Sequence, residues 1–178
     1  MTKRLTGWLA GISALMFIAP NPAASAAIDT AHSSIPVNPT TTLEMHVTAN
    51  CIAAESNCLW NTAANLRSPE GVIGFPGDAY GRQTTTVRTM DRGVWVETQF
   101  VSPNTRLFKS QTYVELSTVY FGGGPPEKFT VQGNTWPTDW RTGQHRNDVP
   151  LIVCAHIQVV YAGVNLTSPD ACAQASFN

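Results

Sequence analysis

An antiparallel β-sandwich or flattened barrel is the fold class this sequence predicts, on three observations. Beyond Thr42, apolar and polar residues alternate in short segments, the period of a half-buried strand. Clusters of Gly, Pro, Asn and Asp separate those segments at short intervals. No long amphipathic helix interrupts the pattern, and at most one short helix is expected, near residues 52–66. Length and strand spacing fit a sandwich and a flattened barrel equally.

The first 26 residues read as a secretory signal peptide. Lys3 and Arg4 precede an apolar run from Leu5 to Ala19, and the small residues Ala24, Ser25 and Ala26 set cleavage after Ala26. The run is broken by Gly7 and Gly11 and falls short of the roughly 20 residues that span a bilayer, so no membrane association is expected once it is removed. Residues 27–41, rich in Ser, Thr, Pro and Asn, are expected to form a flexible arm, and residues 42–178 a single disulfide-braced domain.

Leu43, Met45 and Val47 alternate with Glu44, His46 and Thr48 to give the first strand. Between Cys51 and Arg67, Ala53, Ala54, Leu59, Ala63, Ala64 and Leu66 have a spacing that a short helix would use, against a high content of Asn. Turns follow at Ser68-Pro69-Glu70-Gly71 and at Phe75-Pro76-Gly77-Asp78. Gln83–Met90 and Val94–Val101 are expected to form a hairpin through Asp91-Arg92-Gly93. A turn at Ser102-Pro103-Asn104 leads to a strand from about Thr112 to Phe121. Gly122-Gly123-Gly124-Pro125-Pro126 then reads as a loop rather than a phosphate cradle, because the prolines remove two backbone donors and no helix start follows.

The final segments carry the clearest pattern. Leu151, Val153, Ala155, Ile157, Val159 and Tyr161 share one face of a strand, and Ala171, Ala173, Ala175 and Phe177 share one face of the next. Cys154 and Cys172 then fall on the opposite, more polar faces in matching phase. This agreement, and closeness in sequence, select the pairings Cys51–Cys58 and Cys154–Cys172 from the three that four cysteines allow. Spacings typical of zinc knuckles are absent, so neither a metal nor any other cofactor is expected.

Removing Lys3 and Arg4 with the signal leaves nine basic residues against twelve acidic ones, without a basic cluster. Nucleic acid is therefore not an expected partner, nor is an anionic membrane. Arginine outnumbers lysine seven to two after the signal, a bias suited to bidentate recognition of carboxylates. His46 and His156 each sit on the polar side of a strand, where a surface hydrogen bond is the simpler role.

The stretch from Gly133 to Asp148 is long, polar and carries two tryptophans, which makes it the candidate functional loop. Trp136 and Trp140 offer stacking faces, and Arg141, Gln144 and His145 offer directional polar groups, with Asp139 and Asn147 beside them. That set suits an extracellular glycan or a protein partner, the reading placed first. The alternative is a secreted hydrolase in which His145 works with Asp139 or Asp148 and an arginine, Arg141 or Arg146, holds an anionic group. A third reading is a surface-exposed, antigen-like protein without a small ligand.

Overall fold

A computed structural model of the chain describes Ile28–Asn178, so the signal peptide and its cleavage point lie outside the described residues. The strands in chain order are β1 (Ile28–Asn38), β2 (Thr41–Ile52), β3 (Asn57–Ser68), β4 (Gly71–Ile73), β5 (Tyr80–Thr89) and β6 (Val94–Val101). After them come β7 (Thr105–Lys109), β8 (Tyr113–Phe121), β9 (Thr130–Asp139), β10 (Leu151–Tyr161), β11 (Val164–Thr167) and β12 (Ala171–Ala175). One sheet has the order β1-β2-β3-β9-β6 with β4 beside β3. The other has the order β11-β10-β5-β8-β7, and β12 shares with β11 the edge of β10 that β5 leaves open.

All pairings are antiparallel, and the two sheets keep separate edges, so the fold is a β-sandwich and not a closed barrel. Helical structure among the described residues amounts to two single 3₁₀ turns, Ala53–Glu55 and Pro126–Phe129. No helix among them is long and apolar enough to cross a membrane.

The core follows from strand alternation. Leu43, Met45, Val47 and Ala49 of β2 are buried against Leu151, Val153, Ala155, Ile157 and Val159 of β10, one face from each sheet. A polar cluster joins the sheets inside this core: the fully buried Gln83 donates through Nε2 to Thr62 Oγ1 at 2.7 Å and accepts from the Tyr120 hydroxyl at 3.3 Å. Thr62 and Thr85 share a further bond at 3.1 Å. Because Thr62 lies on β3 and the other three on β5 and β8, the cluster fixes how the two faces mate.

Both expected disulfides are present and join directly opposed residues on paired strands. Cys51–Cys58 ties β2 to β3 with both residues inside the core, whereas Cys154–Cys172 ties β10 to β12 on the outer face.

Three expectations are corrected and a further one is narrowed. The described part of the expected flexible arm is not an arm: Ile28–Asn38 is a full strand paired along β2. It is also tied across the open side of the sandwich, where Asp29 Oδ2 accepts from the Gln174 amide at 2.7 Å and Ser33 Oγ donates to the Pro169 carbonyl at 2.6 Å. Within 52–66, where at most one short helix is expected, the helical part is the single 3₁₀ turn Ala53–Glu55, and from Asn57 the chain is strand, with Cys58, Trp60, Thr62, Ala64 and Leu66 buried on one face. Residues 83–90 and 94–101 do form strands but not a hairpin, since β5 and β6 belong to different sheets and Asp91-Arg92-Gly93 crosses between them.

The last correction concerns the long loop. Its first part, up to Asp139, is the end of β9 paired to β6. Beyond Thr135 β3 no longer pairs with β9, and residues 144–146 take its place along that edge, where the Arg146 amide donates to the Pro137 carbonyl at 2.7 Å.

Candidate functional site

Pairing of β6 with β9 builds the site. Trp95, Glu97, Gln99 and Val101 face outward from β6, and Gln132, Asn134 and Trp136 face outward from β9, with Trp136 directly opposite Glu97 and Asn134 opposite Gln99. A cleft of about 500 Å³ opens beside this pair, lined by Glu97, Thr98 and Gln99 of β6, Trp136 of β9, His145, and Lys109 from the end of β7 in the other sheet.

His145 reaches the cleft because the chain folds back on itself after β9. Asp139 accepts three hydrogen bonds at Oδ1, from the Arg141 amide at 3.0 Å and from the Thr142 amide and hydroxyl at 2.8 and 3.0 Å, which closes a tight turn. The returning strand end then bridges Thr138 to His145. His145 Nδ1 lies 3.1 Å from Thr138 Oγ1, and its ring is tilted against Trp136 with centroids 6.3 Å apart.

Of the residues the sequence nominated, the structure brings Trp136 and His145 together. Trp140 is exposed at the turn, and Trp140, Arg141 and Gln144 are not among the residues lining the cleft. Asp139 is occupied by the turn, and the Thr142 amide and hydroxyl hold its carboxyl below the usual range. Asp148 takes a two-pronged contact from Arg146 at 2.7 Å each, which lowers its carboxyl in the same way. Arg146 also reaches Asp91 at 3.1 Å and is held firmly protonated by these partners. Asn147 donates to the Ala53 carbonyl at 3.3 Å. Arg146 and Asn147 thus pin the loop to the rest of the domain, and among the described residues no carboxylate is bonded to His145.

Outward from the cleft, the register places two uncharged rows across the first sheet. One runs Gln99, Asn134, Leu59, Asn50 and Ile28, and the next runs Val101, Gln132, Asn61, Thr48 and Thr30. All ten are exposed or half-buried. Five strands at a spacing of about 4.8 Å make each row about 19 Å long. Asn134 Oδ1 is itself buried and has no hydrogen-bond partner within the protein.

Apart from Asn134, which falls inside the 133–148 stretch, none of these row residues, nor Glu97 or Lys109, is singled out by the sequence. Their parity is legible within each strand, but the rows exist only once β3, β9 and β6 are known to be neighbours. Among the described residues no cluster of three or more His, Cys, Asp or Glu side chains is arranged to hold a metal ion.

The glycine-rich stretch at 122–124 has a structural role. Phe75 and Gly124 exchange backbone bonds at 2.9 and 3.0 Å, which seats this loop against the turn at 75–77. Lys128 Nζ donates to the carbonyls of Phe121, Gly122 and Gly123 at 2.8 Å each. The Gly123 and Gly124 amides are themselves taken by the Gly77 and Phe75 carbonyls at 3.2 and 3.0 Å, so the loop does not offer a row of N–H groups to a phosphate.

No family model matches the sequence, and no curated protein does. Among solved structures, a chain described as a pore forming protein aligns over 84% of this chain and 87% of its own, at 8% identity and a TM-score of 0.23. A superposition that loose establishes neither a shared fold nor a shared activity.

Proposed function

We propose that this is a secreted, non-catalytic recognition module for an uncharged extracellular glycan, bound along the two outer rows of the first sheet with one end in the Trp136 cleft. The observation that carries the reading is the register: over about 19 Å it aligns seven amide and hydroxyl side chains with Ile28, Leu59 and Val101 and without a formal charge, and it brings one end of the rows beside the Trp136 ring. Asn and Gln each offer both donors and an acceptor, which suits sugar hydroxyls, and an indole face suits the apolar face of a pyranose ring. A protein partner is less well matched, since the centre of a protein interface is predominantly apolar and these rows are not. Export is supported by the signal-like leader and by two disulfides, which persist in oxidising compartments.

The hydrolase alternative needs a carboxylate to orient His145, and the structure pairs that ring with Thr138 instead. Glu97 lines the same cleft, so the experiment covers both readings. Affinity electrophoresis through gels holding neutral polysaccharides, such as β-glucan, mannan, xylan and chitin derivatives, should show retardation of the protein by at least one of them. Trp136→Ala should weaken that retention by tenfold or more, and His145→Ala by only a few-fold. Release of reducing ends that disappears in His145→Ala would establish the hydrolase instead, and no retention on any gel would remove the basis for glycan recognition.

A further inference from the structure

The arginine excess finds a use on the other face of the molecule. A groove of about 320 Å³ runs over the outer face of the second sheet, lined by Tyr80, Arg82, Asn104, Arg106, Ser117 and Val119. Arg82 of β5 and Arg106 of β7 flank the middle strand β8 from opposite sides, Arg82 in register with Val119 and Arg106 with Ser117. That register puts their Cα atoms about 12 Å apart, close enough for both guanidinium groups to reach one ligand.

Neither arginine forms an ion pair among the described residues, and no acidic side chain lines the groove. Glu115 lies two residues further along β8, opposite Thr86 and Phe108 and outside the groove. Two exposed cations facing one groove without a carboxylate repel each other, a cost that an anionic ligand removes.

The groove is also pre-oriented. Arg82 Nε donates to Ser117 Oγ at 3.0 Å, which holds the plane of the guanidinium and leaves both terminal nitrogens available. Tyr80 is held edge-on by Phe121, with ring centroids 5.8 Å apart, and is 38% exposed, so one ring face is available beside the charges. Asn104 stands at the rim with a left-handed backbone, φ 54°, where its carbonyl accepts from the Val119 amide at 3.1 Å.

We infer that this groove is a second binding site, for a sugar unit bearing an oxyanion, with Arg82 and Arg106 gripping the carboxylate or sulfate and Tyr80 packing against the ring. It stands on a different sheet from the amide rows and does not depend on them.

The test is a titration of ¹⁵N-labelled protein with three hexasaccharides: an oligogalacturonate, a heparin fragment and neutral maltohexaose. The Arg82 and Arg106 side-chain Nε signals and the Ser117 amide should shift with one or both acidic ligands and stay in place with the neutral one. Response to oligogalacturonate alone identifies a carboxylate site, and response to heparin alone a sulfate site. Arg106→Gln, which removes no hydrogen bond within the protein, and Arg82→Gln should each weaken binding about tenfold or more. Arg88→Gln, on the same face of β5 but outside the groove, should leave it unchanged. Absence of shifts with both acidic ligands overturns the proposal, as does an equal loss in all three variants, which would reduce the effect to general surface charge.

Discussion

Single residues divide here into those that hold the fold and those that face outward from it. Glu44 is a clear holding residue: burial alone raises its carboxyl, but hydrogen bonds from Arg67 and Asn65 and the Arg67 charge outweigh that and leave it below the ordinary 4.5. A carboxyl lowered by folding contributes stability above its unfolded value, and that contribution is lost as pH falls through the lowered folded value. Glu44→Gln should therefore reduce stability near neutrality and flatten the acid limb below pH 4.5, read from urea midpoints across pH. Gly123 is another. A Cβ there would sit 1.8 Å from the Pro76 carbonyl oxygen, a backbone atom that cannot step aside. Gly123→Ala should cost about 3 kcal/mol or more in chemical denaturation, since it must separate two interlocked loops. Composition marks this stretch as a turn, yet the reason for three glycines is the second loop, which is far away in sequence. In the same way Asp139 looks like an acid–base partner for His145 until its three turn-closing bonds are seen.

At the scale of elements, strand identity was legible wherever apolar residues fell cleanly on one parity, as in β10, β12 and β2. It was illegible where the outward face also carries apolar side chains. In β3, Leu59 and Ala63 point outward and fill the gaps between buried Cys58, Trp60, Thr62 and Ala64, which turns a period of two into something that resembles a helix. β1 fails for the opposite reason: as an edge strand it buries little, and only Ala31, Ile35 and Val37 pack partially against the core. Its order comes from pairing with β2 and from the ties of Asp29 and Ser33, neither of which leaves a local signature. Deleting residues 28–38 should expose the edge of β2 and drive self-association, detectable by light scattering, with a lower melting temperature. The connection at Asp91-Arg92-Gly93 shows a related limit, because a short glycine-bearing turn serves equally as a hairpin and as a corner between sheets.

For the whole molecule, the two sheets are braced separately and joined by the core. The closed loops of 7 and 18 residues give chain-entropy contributions that differ by less than about 1 kcal/mol, slightly favouring Cys154–Cys172. Burial reverses that order, because Cys51→Ser with Cys58→Ser places two hydroxyls at positions 1% and 0% exposed, whereas Cys172 is exposed. The inner double variant should lose more stability than the outer one, by about 1–3 kcal/mol per unsatisfied hydroxyl, measured by urea unfolding.

The sandwich as a whole presents two uncharged rows on one sheet, ending at the Trp136 cleft, and an arginine-bearing groove on the other, and the first of these is the central claim. Backbone amide shifts of the labelled protein, titrated with whichever neutral oligosaccharide the gels select, address it most directly. The account predicts a continuous band of shifted amides from Trp136 through Asn134 and Gln132 to Asn61 and Asn50, with the second sheet undisturbed. Shifts confined to the 140–148 turn, or scattered over both sheets, would contradict it.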